Sequence, residues 1–230
     1  GALRLRKARD EKLCAVLLRG VAAARLVAGL TDAQTALLES PAHPVVLAES
    51  RGNLPHGIAP GLKRIGVMLA YAPLHHLLLA ALEEGGEVPV LVATSANPGG
   101  EPLVASNEDA HRRLSGIADL VVTHDRDIVV RADDSVMQIV AGAPAYLRRA
   151  RGYVPEPVDL GSDGPSVIAL GSDLKNTICV TRGREAFLSQ HIGGLDNAEA
   201  IRFQRETVAH LCSILDVTPD YAACDLHPDF

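Results

Sequence analysis

An α/β fold of the mixed α+β kind is what this sequence predicts, on three observations. Short apolar runs of strand length alternate with longer segments of helical periodicity. The 20 glycines and 14 prolines of the 230-residue chain punctuate those runs where strands and helices must end. Hydrophobic residues make up 47% of the chain, too many for disorder and enough for a core. A chain of this size buries roughly two-thirds or more of its unfolded surface, so it needs no disulfides to fold.

The elements follow in order. The run from Cys14 to Leu18 reads as a strand, 26–38 as a helix, and Val45 to Ala48, behind Pro44, as a second strand. Residues 51–62, with three glycines and two prolines, read as an exposed loop. Ile65 to Leu69 is a strand. Pro73 sits where a helix can begin, and 74–84 supplies it. Val88 to Ala93 reads as a buried strand that opens into a turn rich in small polar residues, Thr94 to Pro102. A helix over 107–114 and short strands near 119–122, 128–130, 136–140 and 146–148 follow. Beyond Pro165, strands at 167–170, 177–181 and 186–188 are joined by glycine-bearing turns. A helix over 197–215 starts behind Asp196 and faces the core with Ile201, Val208, Leu211 and Leu215. A last strand spans 221–224.

Residues 156–165 are poor in periodicity and read as a linker, dividing a first domain, 1–155, from a second, 166–230. The abrupt basic opening and the thin second module of 65 residues lead us to expect a domain truncated at each end.

Net charge is −6, which argues against nucleic-acid binding through a basic surface. The cations are nonetheless clustered: Arg4, Arg6, Lys7, Arg9 and Lys12 in one group, Arg148, Arg149 and Arg151 in another. Such clusters suit a small polyanion such as a nucleotide, or are simply solvated charge. The four cysteines are widely spaced with no CxxC pair, which reads as buried free thiols in a cytoplasmic protein. No apolar run reaches the roughly 18 residues of a membrane span.

Three segments offer chemistry. Thr94 to Pro102 brings two hydroxyls, an Asn amide and glycine backbone to the end of a strand, a cradle for phosphate and ribose oxygens or an ordinary turn. Asp133-Asp134-Ser135, close to Arg131, is a Mg²⁺ candidate or an ion-paired turn. Lys175-Asn176-Thr177 puts one cation and two hydrogen-bonding side chains on a turn that suits a phosphate as well as a plain hairpin. His75-His76, and the scattered His191, His210 and His227, define no metal site.

Taken together, these segments resemble the HypF family of carbamoyltransferases, in order and over nearly the whole chain. The matching stretches are Lys7-Ala8-Arg9 with Lys12, Tyr71 to Leu78, Thr94 to Pro102, Asp133 to Val136 and Leu147 to Pro155. In the second module they are Leu174 to Thr177, Phe187 to Gly193 and Ala223 to Asp229. The resemblance implies a YrdC-like twisted sheet with helices, followed by the first strands and helix of an actin-like ATPase-fold transferase domain. It implies ATP, with Mg²⁺, and carbamoyl phosphate as substrates of carbamoyl-adenylate formation. Transfer would follow, to the C-terminal cysteine of a HypE-type acceptor in the synthesis of the cyanide ligand of nickel–iron hydrogenases. Zinc and a transferase-domain metal belong to parts of the family's proteins outside this sequence.

By the same resemblance Lys7, Arg9 and Arg148 hold phosphates or carbamate. Ser95, Asn97 and Ser135 position the nucleotide, and Lys175, Asn176 and Thr177 contact the adenylate in the second domain. The sequence departs from the family pattern at Leu13, Ala132, Gln138 and Gly194, where Pro, Cys, Arg and Asp are usual. Two alternatives stand beside it. One is a threonylcarbamoyl-adenylate synthase, which shares the YrdC-like fold but lacks a transferase-like module. The other is a non-catalytic YrdC-like nucleic-acid-binding fragment, against which the acidic balance and 3% aromatic content argue. Antibiotic O-carbamoyltransferases place the two domains in the reverse order.

Overall fold

A computed structural model describes residues 2–7 and 13–227; Arg9 and Lys12 lie outside the described residues. The elements run α1 (Ala2–Arg6), β1 (Ala15–Leu18), α2 (Val21–Val27), β2 (Ala28–Gly29), α3 (Asp32–Glu39), β3 (Val45–Ser50), β4 (Arg64–Leu69), α4 (Pro73–Glu83), β5 (Leu91–Ala93) and α5 (Asn107–Leu114). They continue with β6 (Val136–Val140), β7 (Ala143–Arg148), β8 (Pro157–Gly164), β9 (Val167–Ala169), β10 (Cys179–Leu188), α6 (Ala198–Leu215) and β11 (Tyr221–Ala223). The mixed α+β class expected from the sequence is the class observed. No helix among the described residues is long and apolar enough to cross a membrane.

Contacts divide the chain into two compact units. The first combines residues 1–95 with 134–152, the second 96–133 with 153–230. Each is therefore discontinuous in sequence.

The first unit is built on a mixed sheet in the order β5-β1-β4-β3-β6-β7, with β2 beside β3. β1 runs parallel to β4 and β3 parallel to β6; the other pairs are antiparallel. Successive side chains of a strand point to opposite faces, and both faces of this sheet are covered. Val16, Leu18, Val46, Ile65 and Val67 join Leu38 of α3 in one core cluster. Leu17, Val45 and Met68 join Leu79 of α4 in another. That explains why β1 and β4 read as continuous apolar runs and not as alternating ones. Each such side chain taken fully out of water contributes roughly 1.5–3 kcal/mol.

The helix expected over 26–38 is two helices. Thr31 breaks the run because it caps α3: its hydroxyl accepts from the Gln34 amide N–H, and the Gln34 side chain accepts from the Thr31 N–H. This reciprocal Thr-x-x-Gln cap stabilises a new helix start over continuation of the old one. The segments 119–122 and 128–130 form no strand.

In the second unit the sheet order is β11-β9-β10-β8. Ile168, Ile178, Val180 and Phe187 pack on Phe203, Leu211 and Leu215 of α6. The stretch expected as a linker, 156–165, carries β8, an exposed edge strand paired with β10. The two strands expected at 177–181 and 186–188 are one, because Gly183, at φ +58°, absorbs a register shift instead of turning the chain. α6 is capped by Asn197, whose side chain accepts from the Ala200 N–H at 2.8 Å, and not by Asp196. Its buried face is Ala200, Phe203, Thr207, Leu211 and Leu215. Ile201, expected inward, is 39% exposed.

Candidate functional site

In the first unit, β5 delivers Thr94 and Ser95 to the end of the sheet, and Lys7 reaches them from just beyond α1. Lys7 is 5% exposed. Its ammonium donates to Thr94 Oγ1 at 3.3 Å and to the Ser95 carbonyl. A buried ammonium keeps its charge only where oxygens replace its water, so this cation is held in place and not solvated. Arg4 of the same basic cluster donates to the Ile58 carbonyl at 3.1 Å. Arg4 and Lys7 are thus tied to the fold.

Arg151 anchors the other basic cluster. Its guanidinium lies 3.8 Å from the ring centroid of Tyr71. Nε donates to Asp134 Oδ1 at 2.7 Å, and the terminal nitrogens donate to the carbonyls of Ala42 and His43 at 3.0 and 2.8 Å. Only a planar fork fits four such partners. The Tyr71 hydroxyl donates to the same Asp134 oxygen at 3.3 Å, and His75 meets the Tyr71 ring edge-on at 4.7 Å. Burial and the Asp134 charge raise the Tyr71 pKa, with Arg151 in partial opposition. Burial lowers that of His75, helped by His76 and Arg151 and opposed by Asp134. Gly152 closes the arrangement. At φ +89° it brings its backbone so near residue 42 that a Cβ would stand 2.7 Å from the Ala42 Cβ.

Ser135, fully buried, accepts from the Ala150 N–H at 2.8 Å and donates to the Arg151 carbonyl at 2.9 Å. Its hydroxyl proton and one lone pair are thus committed to the backbone. Arg148 is half-buried on β7, in register with Val136. Asp134 is already neutralised by Arg151, so the Asp133-Asp134 pair does not fit a dedicated Mg²⁺ site. Among the described residues no group of three or more His, Cys, Asp or Glu gathers as a metal site.

In the second unit, Asn97 folds its own loop: its amide donates to the Glu101 carbonyl, and Glu101 pairs with Arg113. Asn176 is 2% exposed. Its amide donates to the Leu170 carbonyl at 2.9 Å and the Ser172 carbonyl at 2.5 Å. Its backbone bridges residues 192 and 193. Gly171, at φ +69°, permits this: a Cβ there would stand 2.4 Å from the Thr177 carbonyl oxygen. Lys175, exposed and at φ +55°, tops the turn, and Thr177 is half-buried beneath it. This is a tight backbone loop with a cation at its rim, a geometry suited to an oxyanion.

The structure therefore joins Lys7 to Ser95 directly and makes Ser135 and Asn176 supports of the backbone around them. Sequence reasoning left Tyr71, His75 and Arg151 out of the site. The signal was present, since all three lie in stretches it had marked, but sequence cannot show that residues 71, 134 and 151 converge.

Residues 1–150 match the family described as "Telomere recombination", which groups the Sua5, YciO and YrdC proteins. Residues 162–230 match the HypF Kae1-like domain. The class of protein is thus a YrdC-type fold followed by a Kae1-like domain. Curated relatives include the carbamoyltransferase HypF of Rhizobium leguminosarum bv. viciae, 72% identical over 100% of this chain and 31% of the relative. Among solved structures, a full-length HypF in a phosphate- and nucleotide-bound form superposes with a TM-score of 0.93 at 40% identity, over 100% of this chain and 36% of that one. HypF of T. kodakarensis gives 0.92 at 36% identity, over 98% of this chain and 30% of that one. The chain belongs to the HypF carbamoyltransferase family and spans about a third of the length of the curated relatives it matches.

Proposed function

We propose that this chain contributes the carbamoyl-activating site of a HypF-type carbamoyltransferase and the opening of its transferase domain. The observation that carries the reading is the order of the two family matches, YrdC-type then Kae1-like, along one chain. The same order disfavours a threonylcarbamoyl-adenylate synthase. The nucleotide and phosphate in the solved relative support ATP as the activating substrate.

In this reading water hydrolyses carbamoyl phosphate to carbamate and inorganic phosphate. A carbamate oxygen attacks the α-phosphorus of ATP, the bond between the α-phosphorus and the bridging oxygen breaks, and pyrophosphate leaves. The transfer step follows when a thiolate attacks the carbamoyl carbon and AMP departs. The acceptor is the C-terminal cysteine of a HypE-type partner, and the product serves the cyanide ligand of nickel–iron hydrogenases. Fixed cations oppose the charge that spreads over the phosphoryl oxygens, and no protein nucleophile is required. Lys7 and Arg148, with Arg9, are the proposed cations; Ser95 and Asn97 are proposed to hold the nucleotide. Ser135 acts by fixing the backbone at residues 150 and 151. Lys175, Asn176 and Thr177 form the proposed adenylate loop of the second domain.

The test is calorimetric titration of ATP into the chain and into its Lys7→Met and Arg148→Ala variants. Binding by the parent that each variant weakens by about tenfold or more, the loss of a charge-assisted hydrogen bond, supports the reading. Absence of binding by a folded chain overturns it for this part of the family's proteins.

A further inference from the structure

One end of the first unit's sheet gathers residues from four strands. β3 runs antiparallel to β4 and parallel to β6, and Val136 of β6 stands opposite Arg148, the last residue of β7. His43 lies two residues before β3, Tyr71 two residues after β4, and Asp134 two residues before β6. The His43 imidazole stacks on Tyr71 with 6.3 Å between centroids, and His75, in the first turn of α4, meets the same ring edge-on. Residues 133–151 hold three arginines and two aspartates, and one of those aspartates is paired with Arg151. The excess charge of this segment is positive, which suits an anion.

His75 is the member of the cluster with hydrogen bonds to give. Its ring makes none among the described residues. Nδ1 is shut off from solvent and Nε2 is not, so the ring turns one nitrogen to the interior and one to the outside. That split fixes the tautomer. A buried N–H without an acceptor bears its whole desolvation cost, and orphaned buried donors are rarer than under-satisfied acceptors. The proton therefore sits on Nε2, where water takes its hydrogen bond, and Nδ1 keeps a bare lone pair. A second proton would have to enter at the buried Nδ1, which keeps the ring uncharged. On its open side His75 is then a neutral donor with no lone pair to offer. It takes an acceptor oxygen and refuses an ammonium or an amide N–H.

We propose that His75 is a ligand-binding residue, donating its Nε2–H to a phosphoryl oxygen held at the sheet end that carries Arg148. The phosphoryl group is that of a nucleotide or of a small phosphorylated substrate, and its use in carbamoyl activation rests on the reading given under the proposed function. Arg148 supplies charge and His75 direction: a neutral donor fixes the position of the oxygen at a strength that stays constant across the neutral pH range.

The experiment is a two-bond ¹H–¹⁵N NMR measurement on the imidazoles of the full chain, with His75 assigned by its loss in His75→Gln. It is made without ligand, then with ATP and, separately, with inorganic phosphate. The free chain should hold His75 in the Nε2–H form, in about tenfold excess or more. ATP should move the His75 Nε2 signal saturably. A shift with ATP alone assigns the oxygen to the nucleotide, and a shift with phosphate as well shows that the phosphoryl group suffices. His75→Leu should weaken the ligand that shifts the ring about tenfold, and His75→Gln, whose terminal NH₂ replaces the Nε2–H, should restore it to within about threefold. The tautomer and the shifts are read on the unaltered chain, so they stand even where His75→Leu fails to fold. An Nδ1–H or charged ring at neutral pH, no saturable shift with either ligand, parental affinity in folded His75→Leu, or no rescue by His75→Gln each overturns the proposal. A chain that binds ATP in calorimetry but leaves the His75 ring unmoved refutes the role of His75 alone. A ring moved by phosphate in a chain that binds no ATP refutes the nucleotide reading alone.

Discussion

The guanidinium of Arg151 covers the ring of Tyr71 at 3.8 Å while both residues hold the same oxygen of Asp134. The stack and the ion pair reinforce each other: the ring shields the pair from water, and the carboxylate fixes the plane of the fork. Lysine supplies the charge without the plane. Arg151→Lys should therefore destabilise the chain by about 1–3 kcal/mol, read as a shift of the urea midpoint at unchanged slope.

Tyr71 gives this cluster an alkaline signature. Its folded pKa is raised, by burial first and by Asp134 next, so the folded state holds the phenolic proton more tightly than the unfolded chain does. The stability this contributes is complete below the ordinary tyrosine pKa of about 10. It is lost as pH rises through the folded value. Tyr71→Phe should flatten that part of a stability-versus-pH curve and leave the neutral region unchanged in slope.

His75 acts at the other end of the scale. Burial holds its folded pKa below the ordinary value, so its contribution is complete above about 6.5 and disappears as pH falls through the folded value. An imidazole NMR titration should find His75 still neutral at a pH where exposed histidines have gained a proton. A midpoint at or above the ordinary value would contradict the burial.

Gly152→Ala should cost about 2–4 kcal/mol, from the positive φ and from overlap with the Ala42 backbone together. Calorimetric melting would report it. The overlap is with main-chain atoms, 2.8 Å away at the Ala42 Cα and carbonyl oxygen, so no rotamer change relieves it.

Ser135→Ala strips one hydroxyl that serves both Ala150 and Arg151. It leaves a buried amide N–H without an acceptor and should cost about 1–3 kcal/mol. If Ser135 works through backbone placement, ATP affinity in the proposed site will fall with stability and recover when Ser135→Thr restores the hydroxyl. A loss of affinity with stability untouched would mean direct contact instead.

Continuous apolar runs made β1, β3 and β4 legible in the sequence, as Pro73 did for the start of α4. What stayed hidden is instructive. The Thr31–Gln34 cap was written in the sequence, but helical periodicity ran across it and concealed the break. β8 is exposed along its whole length, so no apolar alternation marks it; it exists because β10 offers it an edge. Ile201 and Phe203 are both apolar, and only the position of the sheet decides which of them faces inward. At the site, local motifs marked Lys7, Ser95 and Asn176, whereas the Tyr71–Asp134–Arg151 convergence depends on chain closure across more than sixty residues. Gln138, standing where the family pattern has arginine, accepts from Arg64 at 3.0 Å, a contact that neither position discloses in the sequence.

The interleaving of the two compact units bears on any attempt to dissect the gene. Homology suggests scissors somewhere between residues 150 and 162. Yet residues 96–133 group with the segment downstream of that cut and not with the one upstream. A product ending near residue 150 would carry a stretch of nearly forty residues separated from its packing partners, among them Phe203 and Glu206 around Arg131. Such a truncation invites proteolysis within 96–133, and a half-protein made this way that failed to bind ATP would testify to the choice of cut and not against the proposed site.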